Sequence, residues 1–207
     1  MPNVLSLSEE FHYDGCKMII SIHQPNFIPW IPYFDKIRKA DIFVILKNCQ
    51  FEKNGYQNRF MINNKWKTMS VRKKTQKICE KNYINYMKDW ENIKKSTPEY
   101  VDQLKLFDDI ISEDLSETNT NIIKIICEKL NIKTEITYDF ETDLVGTDRL
   151  VDICRYHGAK KYISGVSGKK YLDLELFHSN NIEVEFQDIS DLNKGSILKI
   201  LKGEIYV

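Results

Sequence analysis

The chain has 207 residues, in which 30 lysines and arginines balance 30 aspartates and glutamates. This length is enough for one domain with a sizeable core. The neutral total argues against the clearly basic face by which proteins bind nucleic acid or anionic membranes, and no apolar run approaches the roughly 20 residues that span a bilayer.

The first 20 residues lack the basic and long apolar regions of a secretion signal. The five cysteines are odd in number and form no CxxC pair, as expected in a reducing compartment. We therefore expect a cytoplasmic protein without a transmembrane segment or a nucleic-acid partner. Residues 1–17 are predicted to form a flexible extension, and residues 18–207 are predicted to form one α/β domain. Homo-oligomerisation stays open.

A βαβ unit is predicted at the start of that domain. Met18–Ile22 is a short apolar, β-branched run typical of a buried strand. A helix begins around Pro29–Trp30, because proline is tolerated in a first turn. Asp41–Leu46 predicts a second buried strand, so the two strands pair in parallel with a right-handed crossover.

The middle of the chain combines a hairpin with helices. A polar loop, Lys47–Asn58, precedes hairpin strands at Arg59–Ile62 and Lys67–Val71. The basic stretch from Arg72 to Lys81 predicts a mobile surface loop. Helices are then predicted at Trp90–Lys95, Pro98–Ile111 and Asn119–Leu130, the last with one apolar face.

The C-terminal third alternates strands and helices again. Strands are predicted at Thr134–Thr137, Lys161–Ser164 and Ile182–Phe186, and helices from Thr147-Asp148 to Gly158, at Tyr171–Ser179 and at Ser196–Lys202. The predicted fold is a three-layer, Rossmann-like α/β domain with a mostly parallel sheet and an inserted helical segment near residues 83–130.

Polar clusters follow three of the predicted strands: His23-Gln24, Asn48–Arg59 and Ser164–Gly168. Ligands of open α/β sheets bind beyond the carboxyl ends of the strands, so these clusters share one cleft if their strands are neighbours. The expected substrate-binding residues are Gln24, Trp30, Tyr33, Asn48, Gln50, Asn58, Arg59, Ser164, Gly165, Ser167 and Gly168.

His23 is the predicted catalytic residue, because an imidazole can accept or donate a proton near neutral pH. The alternative is a structural histidine that bonds the backbone of the proline-rich loop. Gln24 offers both a donor and an acceptor. Trp30 and Tyr33 offer flat faces on which a sugar or another ring can stack.

The planar charged fork of Arg59 suits a carboxylate or a phosphate, and a surface salt bridge is the alternative. The backbone N–H groups of Ser164–Gly168 precede a predicted helix, where an anion could rest; a simple strand-to-helix turn explains the segment equally well. The histidines are far apart in sequence, so we expect no metal or other cofactor. Cys49 is disfavoured as a nucleophile.

The segment HQPNFIPWIPYFDKIRKADIFVILKNCQFEKNGYQNR (residues 23–59) resembles the WbqC-like family of bacterial proteins. The likeness continues in DRLVDICRYHGAKKYISGVSGKKYLD and NIEVEFQDI, and covers nearly everything from Met18 to about Asp188. The matching positions are His23, Gln24, Pro25, Trp30, Tyr33, Gln50, Phe51, Asn58, Arg59, Ser164, Gly165, Gly168 and Tyr171. The resemblance implies a role in O-antigen, capsule or related polysaccharide biosynthesis.

The sequence departs from the family pattern in two places. Pro32 stands where the family usually has glycine, so we expect a stiffer turn before Tyr33. Lys47-Asn48 replace a pair of acidic residues, so no carboxylate-bound divalent metal is expected at this strand end. The layout also resembles nucleotidylyltransferases and pantothenate synthetase, but both histidines of their HxGH motif are missing.

The preferred hypothesis is a transferase that moves an acyl or aminoacyl group to the amine or hydroxyl of a nucleotide- or lipid-linked sugar. His23 would take the proton of the acceptor, and Arg59 with the Ser164–Gly168 backbone would hold a phosphate or carboxylate. One alternative is a non-catalytic module that binds a glycan or a partner enzyme. The other is nucleotidyl transfer, which predicts magnesium-dependent binding of a nucleoside triphosphate.

Overall fold

The structure, a computed structural model, describes residues 17–74 and 76–205. The predicted flexible extension, apart from Lys17, lies outside the described residues. The strands are β1 (Ile19–His23), β2 (Ile42–Ile45), β3 (Arg59–Ile62), β4 (Lys65–Thr68), β5 (Glu135–Tyr138), β6 (Lys161–Ser164) and β7 (Glu183–Phe186). The helices are α1 (Ile31–Arg38), α2 (Tyr86–Lys95), α3 (Val101–Lys105), α4 (Leu115–Lys129), α5 (Gly146–Tyr156), α6 (Leu174–Ser179) and α7 (Leu198–Leu201).

Five strands form a parallel sheet in the order β5-β2-β1-β6-β7. From the central β1 the chain moves outward through β2 and β5, then returns to β6 and β7 on the other side. The strand order therefore reverses between β1 and β6. Helices supply the crossovers that parallel pairing requires. The predicted Rossmann-like α/β fold is confirmed.

The sheet is covered on both faces. Phe43 and Ile45 of β2 point into a core shared with α1 and α4, whereas Ile42 and Val44 point into a second core shared with α5 and α6. Burial on both faces explains why β2 is a continuous apolar run instead of an alternating one. The result is three layers: helices, sheet, helices.

The hairpin β3–β4 is closed by Asn63 and Asn64, whose φ angles of 49° and 58° are both positive. Two left-handed residues make the type I′ turn that suits the twist of a hairpin. This turn has only two residues, so β4 begins at Lys65, two residues before the predicted start. Met61 and Trp66 form an exposed cross-strand pair on the outer face.

Four local predictions were wrong. The predicted helix Pro98–Ile111 is a 3-10 turn, the short helix α3 and a second 3-10 turn at Asp108–Ile110. Helix α5 begins at Gly146, and the Thr147 hydroxyl accepts the backbone N–H of Asp173 instead of capping its own helix. Helix α6 begins at Leu174, because the Asp173 carboxylate caps it. The stretch predicted as a mobile surface loop ends in a short 3-10 turn with Ile78 fully buried.

Within residues 17–74 and 76–205, every helix is too short or too polar to cross a lipid bilayer. Helix α4, with 15 residues, is the longest that the structure describes.

Gly168 lies where a larger residue would collide with the end of β6. A Cβ at this position would lie 2.0 Å from the Ser164 Oγ and 3.1 Å from the Leu172 Cδ1. Gly168→Ala should therefore lower the free energy of unfolding by about 1–3 kcal/mol, measured by urea denaturation.

Gly165→Ala is the matched control, because a Cβ there would meet nothing within 4 Å and the φ angle is an ordinary −66°. Its stability should stay close to that of the parent chain. Equal losses in the two alanine variants would show that Gly168 is not the tight position.

Candidate functional site

The strand order reverses between β1 and β6, and the carboxyl ends of the strands at such a reversal are the usual ligand position in sheets of this kind. β1 ends at His23, and Ser21 pairs with Ile163 of β6. Carrying this register two residues further places Gly165 beside His23. Two of the three predicted polar clusters therefore meet at what we call the crevice.

The His23 ring is held from one side by the backbone that follows it. Its Nδ1 lies 3.0 Å from the Gln24 carbonyl oxygen, so Nδ1 carries the proton and donates it there. The same carbonyl accepts the Tyr33 hydroxyl at 2.9 Å, and the Tyr33 ring meets the imidazole edge-on at 4.8 Å. This part of the arrangement is the structural role foreseen for His23 as the alternative.

The other side of the ring is available for chemistry. Desolvation and the positive charge of Lys36 lower the pKa of His23 to about 3. The imidazole is therefore neutral at physiological pH. With the proton on Nδ1, the Nε2 lone pair is an acceptor without a hydrogen-bond partner among the described residues.

Lys36 was missed by the sequence reasoning. Helix α1 carries it close to the crevice, where it is only 2% exposed and its Nζ donates to the Ile22 carbonyl oxygen at 3.1 Å. Burial lowers the pKa of this amine to about 7. The available signal was its spacing, because a lysine three residues after Tyr33 shares the buried face of the helix.

The loop that follows β2 reaches the crevice through Gln24. The Gln24 amide nitrogen lies 3.4 Å from a Glu52 carboxylate oxygen and 3.4 Å from the Cys49 sulfur, and its oxygen accepts the Gln57 amide. Burial and the nearby Glu52 carboxylate raise the pKa of Tyr171. Segments after β1, β2 and β6 thus converge here.

Asn119 is a second residue that the sequence reasoning missed. Its amide nitrogen donates to the carbonyl oxygens of Pro25 (2.8 Å) and Gln57 (2.6 Å), and its oxygen accepts the Tyr83 hydroxyl at 2.8 Å. All of these groups are buried. One polar side chain on the apolar face of α4 therefore ties the loop after β1 to the loop after β2.

Asn48 is engaged within the protein. Asp139 accepts the backbone N–H groups of Lys47 and Asn48 and the Asn48 side-chain amide. The Asn48 oxygen in turn accepts the Cys79 thiol at 3.4 Å. Arg149 completes the cluster with a buried ion pair to Asp139 at 2.6 Å. Asn48 therefore shapes the loop, and its predicted contact with a substrate stays a prediction.

The other predicted amide ligands also hold loops. Asn58 donates to the Met69 carbonyl oxygen at 2.7 Å, and Gln50 donates to that of Gln76 at 3.0 Å. The buried Ser164 hydroxyl donates to the Gly165 carbonyl oxygen at 3.2 Å. Their hydrogen-bonding groups serve the fold more directly than the crevice.

The segment that contains Gly165, Ser167 and Gly168 forms a 3-10 turn, Val166–Lys170, instead of the start of an α-helix. Helix α6 begins only after the Asp173 cap. The predicted anion site therefore lacks the helix dipole on which it depended. Ser167 is exposed at the rim of this turn.

Trp30 and Arg59 lie in a different concavity from His23. This hairpin pocket, about 480 Å³, lies between the start of α1, the β3–β4 hairpin and residues 194–199. Its lining residues are Asn26, Phe27, Ile28, Pro29, Trp30, Tyr56, Arg59, Phe60, Met61, Ile62, Asn63, Asn64, Trp66, Lys194, Gly195, Ser196 and Lys199. The expectation of one cleft is thus corrected, because His23 does not line the pocket that contains Trp30 and Arg59.

Arg59 makes no ion pair with a described residue. Its Nε donates to the Gly55 carbonyl oxygen at 3.0 Å and a terminal nitrogen donates to that of Asn54. The guanidinium lies 4.1 Å from the centre of the Trp66 ring. The surface salt bridge foreseen as the alternative is therefore not formed with this part of the chain.

No group of three or more histidine, cysteine, aspartate or glutamate side chains comes together as a metal site in the described ranges.

The Asp139–Arg149 pair should be essential for the shape of the loop after β2. Asp139→Ala leaves the Arg149 charge buried and unpaired, so the free energy of unfolding should fall by about 3–5 kcal/mol in urea denaturation. Asp102→Ala, which removes an exposed partner of Lys105, is the control and should cost far less. Comparable losses in both variants would contradict a structural role for the buried pair.

Lys36 should make stability depend on pH in a specific direction. Because the folded pKa of about 7 lies below the unfolded value of 10.5, the unfolded chain binds more protons between these pH values. The wild-type protein therefore gains stability relative to Lys36→Met as the pH rises from 7 to 10. Thermal unfolding of both proteins measures this, with Lys53→Met as the exposed-lysine control. A pH-independent difference would refute the assignment.

The chain was compared with known proteins. The WbqC-like protein family matches residues 24–194. The uncharacterized protein Rv1507c of Mycobacterium tuberculosis is 29% identical over 188 residues, which cover 82% of this chain and 81% of that protein. No solved structure matches the chain. Because this family match spans well over half of the chain, from Gln24 to Lys194, the chain belongs to the WbqC-like protein family.

Proposed function

We propose that this protein is a transferase of bacterial surface-glycan biosynthesis, of the O-antigen or capsule type. It moves an acyl or aminoacyl group to the amine or hydroxyl of a nucleotide- or lipid-linked sugar. The observation that carries the proposal is the neutral imidazole of His23, whose Nε2 is an acceptor at the crevice between β1 and β6. Membership of the WbqC-like family supports the pathway.

In the proposed step, the acceptor N–H or O–H donates a hydrogen bond to the His23 Nε2. The acceptor atom attacks the acyl carbon of the donor and forms the new C–N or C–O bond. Its proton passes to Nε2, the bond between the acyl carbon and the donor sulfur or oxygen breaks, and the leaving group takes the proton from the imidazolium.

The low pKa of His23 restricts when this proton can move. The N–H of an amine becomes far more acidic once the amine has bonded to an acyl carbon, whereas a free hydroxyl group stays a very weak acid. A base as weak as His23 therefore favours a sugar amine over a hydroxyl as the acceptor.

Polar groups around His23 supply the orientation of the acceptor. The Gln24 amide is held by Glu52 and Gln57, and Tyr171, an exposed residue whose phenol is partly desolvated, lies close to Glu52. These groups can donate to and accept from the hydroxyls of a sugar. We propose Gln24 and Tyr171 as polar contacts of the acceptor.

A non-catalytic binding module is the second candidate. It is favoured by the same low pKa of His23, because the best general bases have a pKa near the working pH. Kinetics separates the two candidates: a binding module retains a bound sugar without turnover, and changes at the crevice alter its affinity alone.

The test is an assay of purified protein with nucleotide-linked amino sugars and acyl-coenzyme A or aminoacyl thioester donors, with products detected by mass spectrometry. Because transfer needs an acceptor at Nε2, His23→Asn should reduce kcat by about 10²–10⁴-fold with little change in KM. His178→Asn, which alters an exposed histidine of α6, is the control. Sugar binding without turnover by any donor, or full turnover by His23→Asn, rejects the transferase.

A further inference from the structure

The hairpin pocket has a strong local excess of positive charge. Arg59, Lys194 and Lys199 line it, and none of its lining residues is acidic. The whole chain carries equal numbers of basic and acidic residues, so this concentration is not a reflection of average composition. A concave surface with one sign of charge attracts a ligand of the opposite sign.

Three aromatic rings at the pocket are incompletely covered by protein. Trp30, Tyr56 and Trp66 are 41%, 57% and 40% exposed. The rings of Tyr56 and Trp66 lie 5.6 Å apart, and the Arg59 guanidinium stacks on Trp66. Exposed rings grouped with cations around a cavity are typical of sites that bind a flat, negatively charged ligand.

The backbone at the pocket is held in an unfavourable conformation. Ile28 lines the pocket with a φ angle of 44°, which is rare for a β-branched residue. Backbone hydrogen bonds on both sides fix it: Phe27 donates to the Tyr56 carbonyl oxygen at 2.9 Å, and Ile31 donates to that of Gly195 at 3.1 Å. Strain of this kind is concentrated at ligand-binding segments.

We propose that the hairpin pocket binds a nucleoside diphosphate, with the base stacked on the exposed aromatic rings and the diphosphate near Lys194, Lys199 and Arg59. A volume of about 480 Å³ suits a ligand of this size. This deepens the proposed function and rests on it for the choice of a nucleotide-linked sugar. A lipid diphosphate would satisfy the cations but would leave the aromatic rings without a flat partner.

The test is calorimetric titration of the full chain with UDP, GDP and ADP, and with uridine and inorganic pyrophosphate as partial ligands. At least one diphosphate should bind, and uridine and pyrophosphate should bind about tenfold more weakly or worse. Trp66→Ala should lower the affinity for the nucleoside diphosphate by at least about fivefold, which is the lower end of the effect of losing one stacked ring. Lys199→Gln should also lower this affinity and should make the affinity less dependent on salt concentration.

Matched controls lie away from the pocket. Tyr156→Ala removes an exposed ring of α5, and Lys160→Gln removes an exposed lysine; both should bind within twofold of the parent chain. Lys199→Gln also keeps the test valid if Trp66→Ala fails to fold. Three results would each overturn the proposal. The first is that no nucleoside diphosphate binds, and the second is that pyrophosphate binds as tightly as any nucleoside diphosphate. The third is that Lys199→Gln binds the nucleoside diphosphate with unchanged affinity.

The result is separable from that of the transferase assay, because His23→Asn leaves the hairpin pocket intact and should bind the diphosphate as the parent chain does. Binding of a nucleoside diphosphate without any transfer activity would reject the proposed transferase function and would support the proposed ligand of the hairpin pocket. Transfer activity without binding of a nucleoside diphosphate would reject only the proposed ligand of the hairpin pocket.

Discussion

Parallel pairing of β1 with β2 on one side and β6 on the other determines where the polar segments of this protein lie. Parallel strands of one sheet end at the same edge, so the segments after β1, β2 and β6 have to emerge together. The register of the parallel strands alone places His23 beside Gly165, without a hydrogen bond between the two residues. Asn119 and the Asp139–Arg149 pair then fasten the emerging loops in place.

The crevice is also where the fold accepts an energetic cost. Lys36 is buried and His23 is half-buried, and desolvation favours the neutral form of each, with pKa values lowered to about 3 for His23 and about 7 for Lys36. Apolar residues at these positions would avoid this cost. Perturbed ionisable groups in a crevice are concentrated at functional sites, and here they lie at the point where the strand order reverses.

The strand β2 was predictable because burial on both faces makes it a continuous apolar run, and Lys161–Ser164 was predicted with its observed bounds. The starts of β4 and α6 were less predictable, because Asn63-Asn64 act through turn geometry and Asp173 acts through two hydrogen bonds to backbone N–H groups. The hairpin pocket could not be foreseen, because its cations at positions 59, 194 and 199 meet only after folding. The same limit explains why Trp30 and Arg59 were grouped with His23.

Nitrogen-15 NMR of the histidine side chains tests the central claim most directly, with His23→Asn identifying the resonances of His23. The Gln24 carbonyl oxygen requires the proton on Nδ1, and desolvation keeps the ring neutral well below its ordinary pKa. The spectra should therefore show a neutral Nδ1–H tautomer throughout pH 5–8. A ring that titrates near 6.5 would contradict the desolvation of His23, and a ring protonated on Nε2 would contradict the free acceptor at that nitrogen.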